Sequence, residues 1–154
     1  MKIAISYFYQ IRFFKPWMIP VSTAYGDPVW YHNGLDKRKV VNGLRCEELH
    51  PDNRCSGLCY GSTKCIEYPD RCQFKKQYAQ QLEEMDLDQF LQRAAASLKR
   101  LKKQLKLNRE PILVLMVHEA PYNHCSEREI LIKYFNSHGV ECEELKYPIG
   151  ENYE

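Results

Sequence analysis

The stretch that decides the fold is PILVLMVHEAPYNHCSEREILIKYFNSHGVECEELK, residues 111–146. It opens with an unbroken apolar run, 111–117, headed by Pro111. A run that short and that continuous reads as a strand buried on both faces, the condition of a central strand in a parallel sheet. The polar loop HEAPYNHC follows. Ser126 with Glu129 then forms an S-x-x-E capping box, and Ile130, Leu131, Tyr134 and Phe135 mark one face of the helix it opens. Gly139 falls where a left-handed C-terminal cap belongs. Residues 140–146 predict a last strand. Strand, loop, helix and strand in that order make a βαβ unit, which calls for a parallel sheet with helices packed on it.

Upstream, KIAISYF (2–8) predicts a strand, IRFF a helical turn ended by Pro16, and MIPVSTA (18–24) a second strand with Pro20 near its start. YGDP reads as a turn, and residues 25–45 show no clean period. From about Gln77 the pattern becomes helical. Asp86 and Gln89 suggest a cap, and Leu87, Phe90, Leu91, Ala94, Leu98, Leu101 and Leu105 recur at steps of three and four. Lys99, Arg100, Lys102, Lys103 and Lys106 crowd the end of this helix, where its dipole favours cations. The expected architecture is a single α/β domain over 1–154. It has a small, mostly parallel sheet with packed helices, Rossmann-like, and a cysteine-rich insert at 45–75.

A chain of 154 residues suits one domain with its own core. A net charge of +2 is too small to argue for nucleic acid from composition alone. The N-terminal apolar run is short, rich in tyrosine and lacks a small-residue cleavage site, so it does not read as a signal peptide. No stretch approaches the length of a membrane helix. The expectation is a soluble, cytoplasmic protein with no membrane association.

Five of the seven cysteines lie in RCEELHPDNRCSGLCYGSTKCIEYPDRC, residues 45–72. A reducing compartment and an odd count both argue against a disulfide framework. The insert is rich in Gly, Pro, Asn, Asp and Ser and cannot fix itself by apolar burial. A metal would supply that free energy. Cys55, Cys59, Cys65 and Cys72 are the candidate ligands of a structural zinc. Cys55-x3-Cys59 meets the short ligand spacing, and the wider gaps match no standard motif. Cys46 is either a fifth candidate or a buried thiol. An iron–sulfur cluster and a metal-free set of small apolar thiols are the alternatives. Without a C-x-x-C, thiol redox sensing has less support.

The loop after the apolar run is the candidate site. In open parallel sheets ligands bind beyond the carboxyl ends of the strands. Cys125 precedes the capping Ser126, where a helix N-terminus stabilises a thiolate and binds anions. Arg128 on the first turn suits bidentate pairing with a phosphate or carboxylate. Glu119 and His124 are candidates for moving protons. One mechanism makes Cys125 a nucleophile, and the plain alternative has it packed behind the cap. Tyr25, Trp30 and Tyr31 either stack on a planar ligand such as a nucleobase or pack in the core. Three readings follow. One is a site for a small anionic or nucleotide ligand, enzymatic or not. Another is a zinc-stabilised module that binds nucleic acid or protein. The last is an iron–sulfur or thiol sensor.

SYFYQIRFFKPWMIPVSTAYGDPVWY and VLMVHEAPYNHCSER carry a family resemblance. They resemble the domain-of-unknown-function 488 family. Its first strand reads S-Y-F, its second P-[IV]-S-I-A, followed by P-x-W-Y and later by strand–E-K-x-x-x-x-C-H-R–helix. Ser6, Tyr7, Phe8, Pro20, Val21, Ser22, Ala24, Pro28, Trp30 and Tyr31 match, and Glu119 and Cys125 keep the Glu-to-Cys spacing. CSER stands where the family has C-H-R, which removes the histidine and displaces Arg128 by one position. Ala120 replaces the lysine after the glutamate. The resemblance implies a compact α/β fold with a Glu/Cys/Arg loop and names no reaction. The cysteine-rich middle looks like an insert in that pattern.

Overall fold

The computed structural model describes residues 1–32, 34–55, 72–122 and 126–146. Its centre is a four-stranded, wholly parallel sheet built from β1 (Ile3–Tyr7), β2 (Met18–Ser22), β5 (Ile112–Val117) and β6 (Cys142–Glu144). The order is β2-β5-β1-β6. β5, the apolar run, is central as expected. Its Leu113 to Val117 pair with Ile3 to Tyr7 on one side, and Ile112 to Met116 pair with Met18 to Ser22 on the other. β2 is an edge strand, which is where Pro20, with no N–H to give a ladder, is tolerated. Two-residue strands β3 (Gly34–Leu35) and β4 (Val41–Asn42) form a separate hairpin. Strands that short leave no period to read.

Three helices follow among the described residues: α1 (Gln73–Glu83), α2 (Leu87–Gln104) and α3 (Arg128–Ser137). The helical segment starts earlier than the pattern suggested and is broken in two. Asp86 explains the break, because its carboxylate accepts the Gln89 N–H at 3.1 Å and so opens α2 as a cap. At α3, the Ser126 hydroxyl accepts the Arg128 N–H at 3.2 Å, and Glu129 reaches the buried Lys75 on α1 at 3.4 Å. Gly139 takes φ +79°, the left-handed C-terminal position expected of it.

All three helices pack on one face of the sheet. Ile3, Ile5, Ile19, Leu113, Leu115 and Val117 meet Phe74, Tyr78 and Leu82 of α1, Phe90 and Leu98 of α2, and Leu131 and Phe135 of α3. The other face carries Ala4, Met18, Val114 and Met116, and is covered by irregular chain. A 3-10 turn, Phe8–Phe13, supplies Phe8 and Ile11, and Phe14, Trp17, Tyr31 and Val40 complete the layer. The strand alternation therefore separates a helix-facing core from an aromatic one. Both leave the carboxyl ends of β1, β2, β5 and β6 at the same rim of the sheet.

Candidate functional site

Arg128 opens α3 at that rim. Its side chain is only 5% exposed, and Nε donates to Glu144 Oε2 at 2.8 Å. The guanidinium carbon lies 5.9 Å from the centre of the Tyr7 ring at the end of β1. Both terminal nitrogens, Nη1 and Nη2, are buried and meet no hydrogen-bond partner among the described residues. One oxygen of Glu144, Oε1, is in the same position. A buried polar group left without a partner costs about 1–3 kcal/mol, more when charged, and native folds keep few of them. A guanidinium presented this way has the geometry for a bidentate anion.

Beside it sits Glu127, fully buried with the Thr23 hydroxyl in hydrogen-bonding contact. Burial pushes its carboxyl up to about 8, and the neighbouring Glu119 pushes in the same direction. Glu127 is therefore largely uncharged near neutral pH. Its Oε2 meets no hydrogen-bond partner among the described residues. Burial also raises the Glu144 carboxyl, against the lowering effect of Arg128. Tyr78, buried on α1, donates its hydroxyl to the Leu49 carbonyl, and its own titration is pushed well up by burial and then by Glu127. The site thus combines a fixed cation, a paired carboxylate, an uncharged carboxylic acid and Glu119 at the strand exit.

The chain leaving β2 is fixed by its own network. Ser22 and Arg45 both donate to Asp27 Oδ1, each at 2.5 Å, and Arg45 also donates to the Ala24 carbonyl at 2.9 Å. This holds Tyr25, whose ring stands edge-on to His50 at 5.0 Å and which is electrostatically coupled to Glu127. Tyr25 is accessible from the rim. Trp30 is half exposed but stacks edge-on against Phe8 and Tyr31 on the aromatic face. Tyr31 is buried, and its hydroxyl donates to the Pro20 and Leu44 carbonyls. The structure places Tyr31 in the core. His118, past β5, contacts the Phe8 ring at 4.9 Å and hydrogen-bonds the Gly26 carbonyl.

Of the sequence-derived site residues, Glu119 and Arg128 come together at the rim with Tyr25 nearby. His124 and Cys125 lie outside the described residues, as do Cys59 and Cys65. Cys55 and Cys72, 1% and 3% exposed, both belong to the helix-facing core. Burial raises the Cys55 thiol, and the partly buried Cys46 behaves likewise. Among the described residues no group of three or more His, Cys, Asp or Glu side chains is placed to hold a metal ion. Glu127, Glu144 and Thr23 were not singled out in the sequence. The only hint was position, since Thr23 and Glu144 fall late in predicted strands and Glu127 opens the predicted helix.

At the opposite rim, where the strands begin, lies a groove of about 920 Å³. Leu98, Leu107, Pro111 and Ile112 line it together with Lys2, Lys99, Lys102, Lys103 and Lys106. Lys106 adopts φ +53°, a left-handed conformation that favours glycine.

Comparison with known proteins found no matching family model, no matching curated protein and no matching solved structure. No helix among the described residues is long and apolar enough to cross a membrane.

Proposed function

We propose that the protein binds a small anionic ligand, a phosphate ester or nucleotide, at the carboxyl rim of its sheet, with Arg128 holding the anion. The observation that carries this reading is the buried Arg128 guanidinium with two terminal nitrogens unpartnered among the described residues. Its place, on the first turn of a helix leaving a central parallel strand, is where such folds bind phosphates. Tyr25 is positioned to contact a planar group. Calorimetric titration with inorganic pyrophosphate and a nucleoside monophosphate tests it. Wild type should bind saturably, and Arg128→Lys, which loses the planar fork, should bind about tenfold or more weakly. No binding, or equal binding by the variant, would refute the reading.

If the site is catalytic, Cys125 is the nucleophile and Glu119 or His124 moves the proton. Cys125→Ser then abolishes turnover of a bound phosphorylated substrate, whereas unchanged turnover removes covalent catalysis from the account. The two matched motifs support membership of the domain-of-unknown-function 488 family. Strand β5, Glu119 and the start of α3 also follow in the order that pattern requires.

We also infer that zinc on Cys55, Cys59, Cys65 and Cys72 staples the insert. Cys55 and Cys72 both lie in the helix-facing core, Cys55 with its Sγ 3.9 Å from Gln81 of α1 and Cys72 as the residue that precedes α1. Elemental mass spectrometry should find one zinc per chain, lost with Cys59→Ser. Iron with visible colour would favour the cluster reading, and no metal would favour plain buried thiols.

A second reading, nucleic-acid or other polyanion binding at the lysine groove, has its own support. Four lysines of α2 and its cap, with Lys2, converge on one groove. Binding there would weaken steeply with salt.

A further inference from the structure

Accepting the anion reading, we propose that the ligand enters with a divalent cation such as Mg²⁺, held between Glu119, Glu127 and oxygens of the anion gripped by Arg128. Glu119 lies two residues past the end of β5, and Glu127 directly precedes α3. The two carboxyl groups are close enough to act on each other electrostatically. Two acidic groups alone would not make a site. Here one of them, Glu127, is only 3% exposed, and its Oε2 is buried with no hydrogen-bond partner among the described residues.

Charge counting points the same way. The positive charge of Arg128 is already offset by Glu144. A phosphate carrying two or more negative charges, placed next to Glu119, would leave a strongly negative, poorly solvated site. A divalent cation bridging the anion, Glu119 and Glu127, with Glu127 giving up its proton as the cation binds, removes that excess. Mg²⁺ is characteristically bound this way, by one or two carboxylates plus substrate phosphates and waters, with no all-protein cage. The cysteines do not compete, because a hard cation prefers oxygen to thiolate. The Thr23 hydroxyl hydrogen-bonds the Glu127 carboxyl, and Oε2 is the oxygen left without a partner among the described residues.

Calorimetric titration of the full chain with inorganic pyrophosphate, in chelator-treated buffer and again in Mg²⁺, tests the inference. Mg²⁺ should tighten binding about tenfold or more, a difference of about 1.4 kcal/mol. In Glu127→Gln, the ratio of the two affinities should collapse to about one. Gln matches the uncharged acid in shape, so this variant should fold; thermal unfolding checks that it does. Glu119→Gln, at a more exposed position, should lower the ratio as well. If pyrophosphate binds wild type equally with and without Mg²⁺, the cation is excluded while the anion reading stands. A Mg²⁺ enhancement that survives both Gln substitutions likewise overturns the assignment of these carboxylates. If pyrophosphate binds under neither condition, both the cation and the anion reading fail.

Discussion

The two rims of the sheet solve the problem of charge in opposite ways. At the carboxyl rim Arg128 and Glu127 are buried, Glu144 is half-buried, and all three are held by named contacts. At the amino rim five lysines surround one groove, two of them in surface ion pairs, Lys2 with Glu143 at 3.0 Å and Lys102 with Glu110. Burial makes each charge expensive, geometrically fixed and responsive to one partner. Exposure makes each charge cheap, mobile and weakly coupled. The first arrangement suits a discriminating small-ligand site, the second a diffuse attraction for polyanions.

The sharpest way to break this contrast is Arg128→Ala. It removes one partner of a buried ion pair and leaves Glu144 with a lost partner at the edge of the core. The expected destabilisation is roughly 3 kcal/mol, read from chemical denaturation. A loss under 0.5 kcal/mol would mean that the carboxyl rim is as solvated as the lysine groove.

Next in size is the pH dependence of stability, measured without divalent cations. Glu127 has its carboxyl raised from 4.5 to about 8. Between those values the unfolded chain has released this proton and the folded chain still holds it. The folded state therefore binds more protons, and stability falls as pH rises through that window. The contribution is complete below 4.5 and lost once pH passes about 8. The groups facing Glu127 are Glu119, Arg128, Tyr25 and Tyr78, with Thr23 as a neutral contact. Glu144, also raised, contributes in the same direction. Thermal unfolding across this range should show the decline in wild type and a shallower one in Glu127→Gln. Parallel curves would place Glu127 in water.

The smallest effect belongs to the amino rim. Lys106 holds a left-handed backbone that costs a non-glycine residue about 1 kcal/mol. Lys106→Gly should stabilise the fold by up to about that amount. If the groove binds polyanions, the same change should lower the salt dependence of oligonucleotide binding by about one phosphate contact. Higher stability with weaker binding would show a strained lysine retained for its charge. Higher stability alone would leave the groove a solvated helix end.

Most of the sheet was legible because its signals are local. The unbroken run of β5, the cap at Asp86 and the glycine at 139 each state their structure within a few residues. Residues 25–45 were not legible, because β3 and β4 are too short for a period and the segment is fixed by contacts from distant chain, such as Tyr31 to Pro20 and Leu44. Arg128 and Glu119 could be found from their place after a buried strand. Glu127 could not, since a glutamate just before a helix ordinarily faces water, and only the folded chain around it, with the Thr23 hydroxyl on its carboxyl, makes it a buried acid. Glu144 is equally ordinary until β6 aligns beside β1 and brings it to Arg128.

The most direct test of the central claim is side-chain nitrogen NMR of the arginines, with the Arg128 signal assigned by its loss in Arg128→Lys. On titration with pyrophosphate, the Arg128 guanidinium resonances should shift saturably, while chloride at equal ionic strength leaves them in place. Arg128 signals that stay fixed while pyrophosphate shifts the surface lysines would contradict the account and move the anion site to the opposite rim.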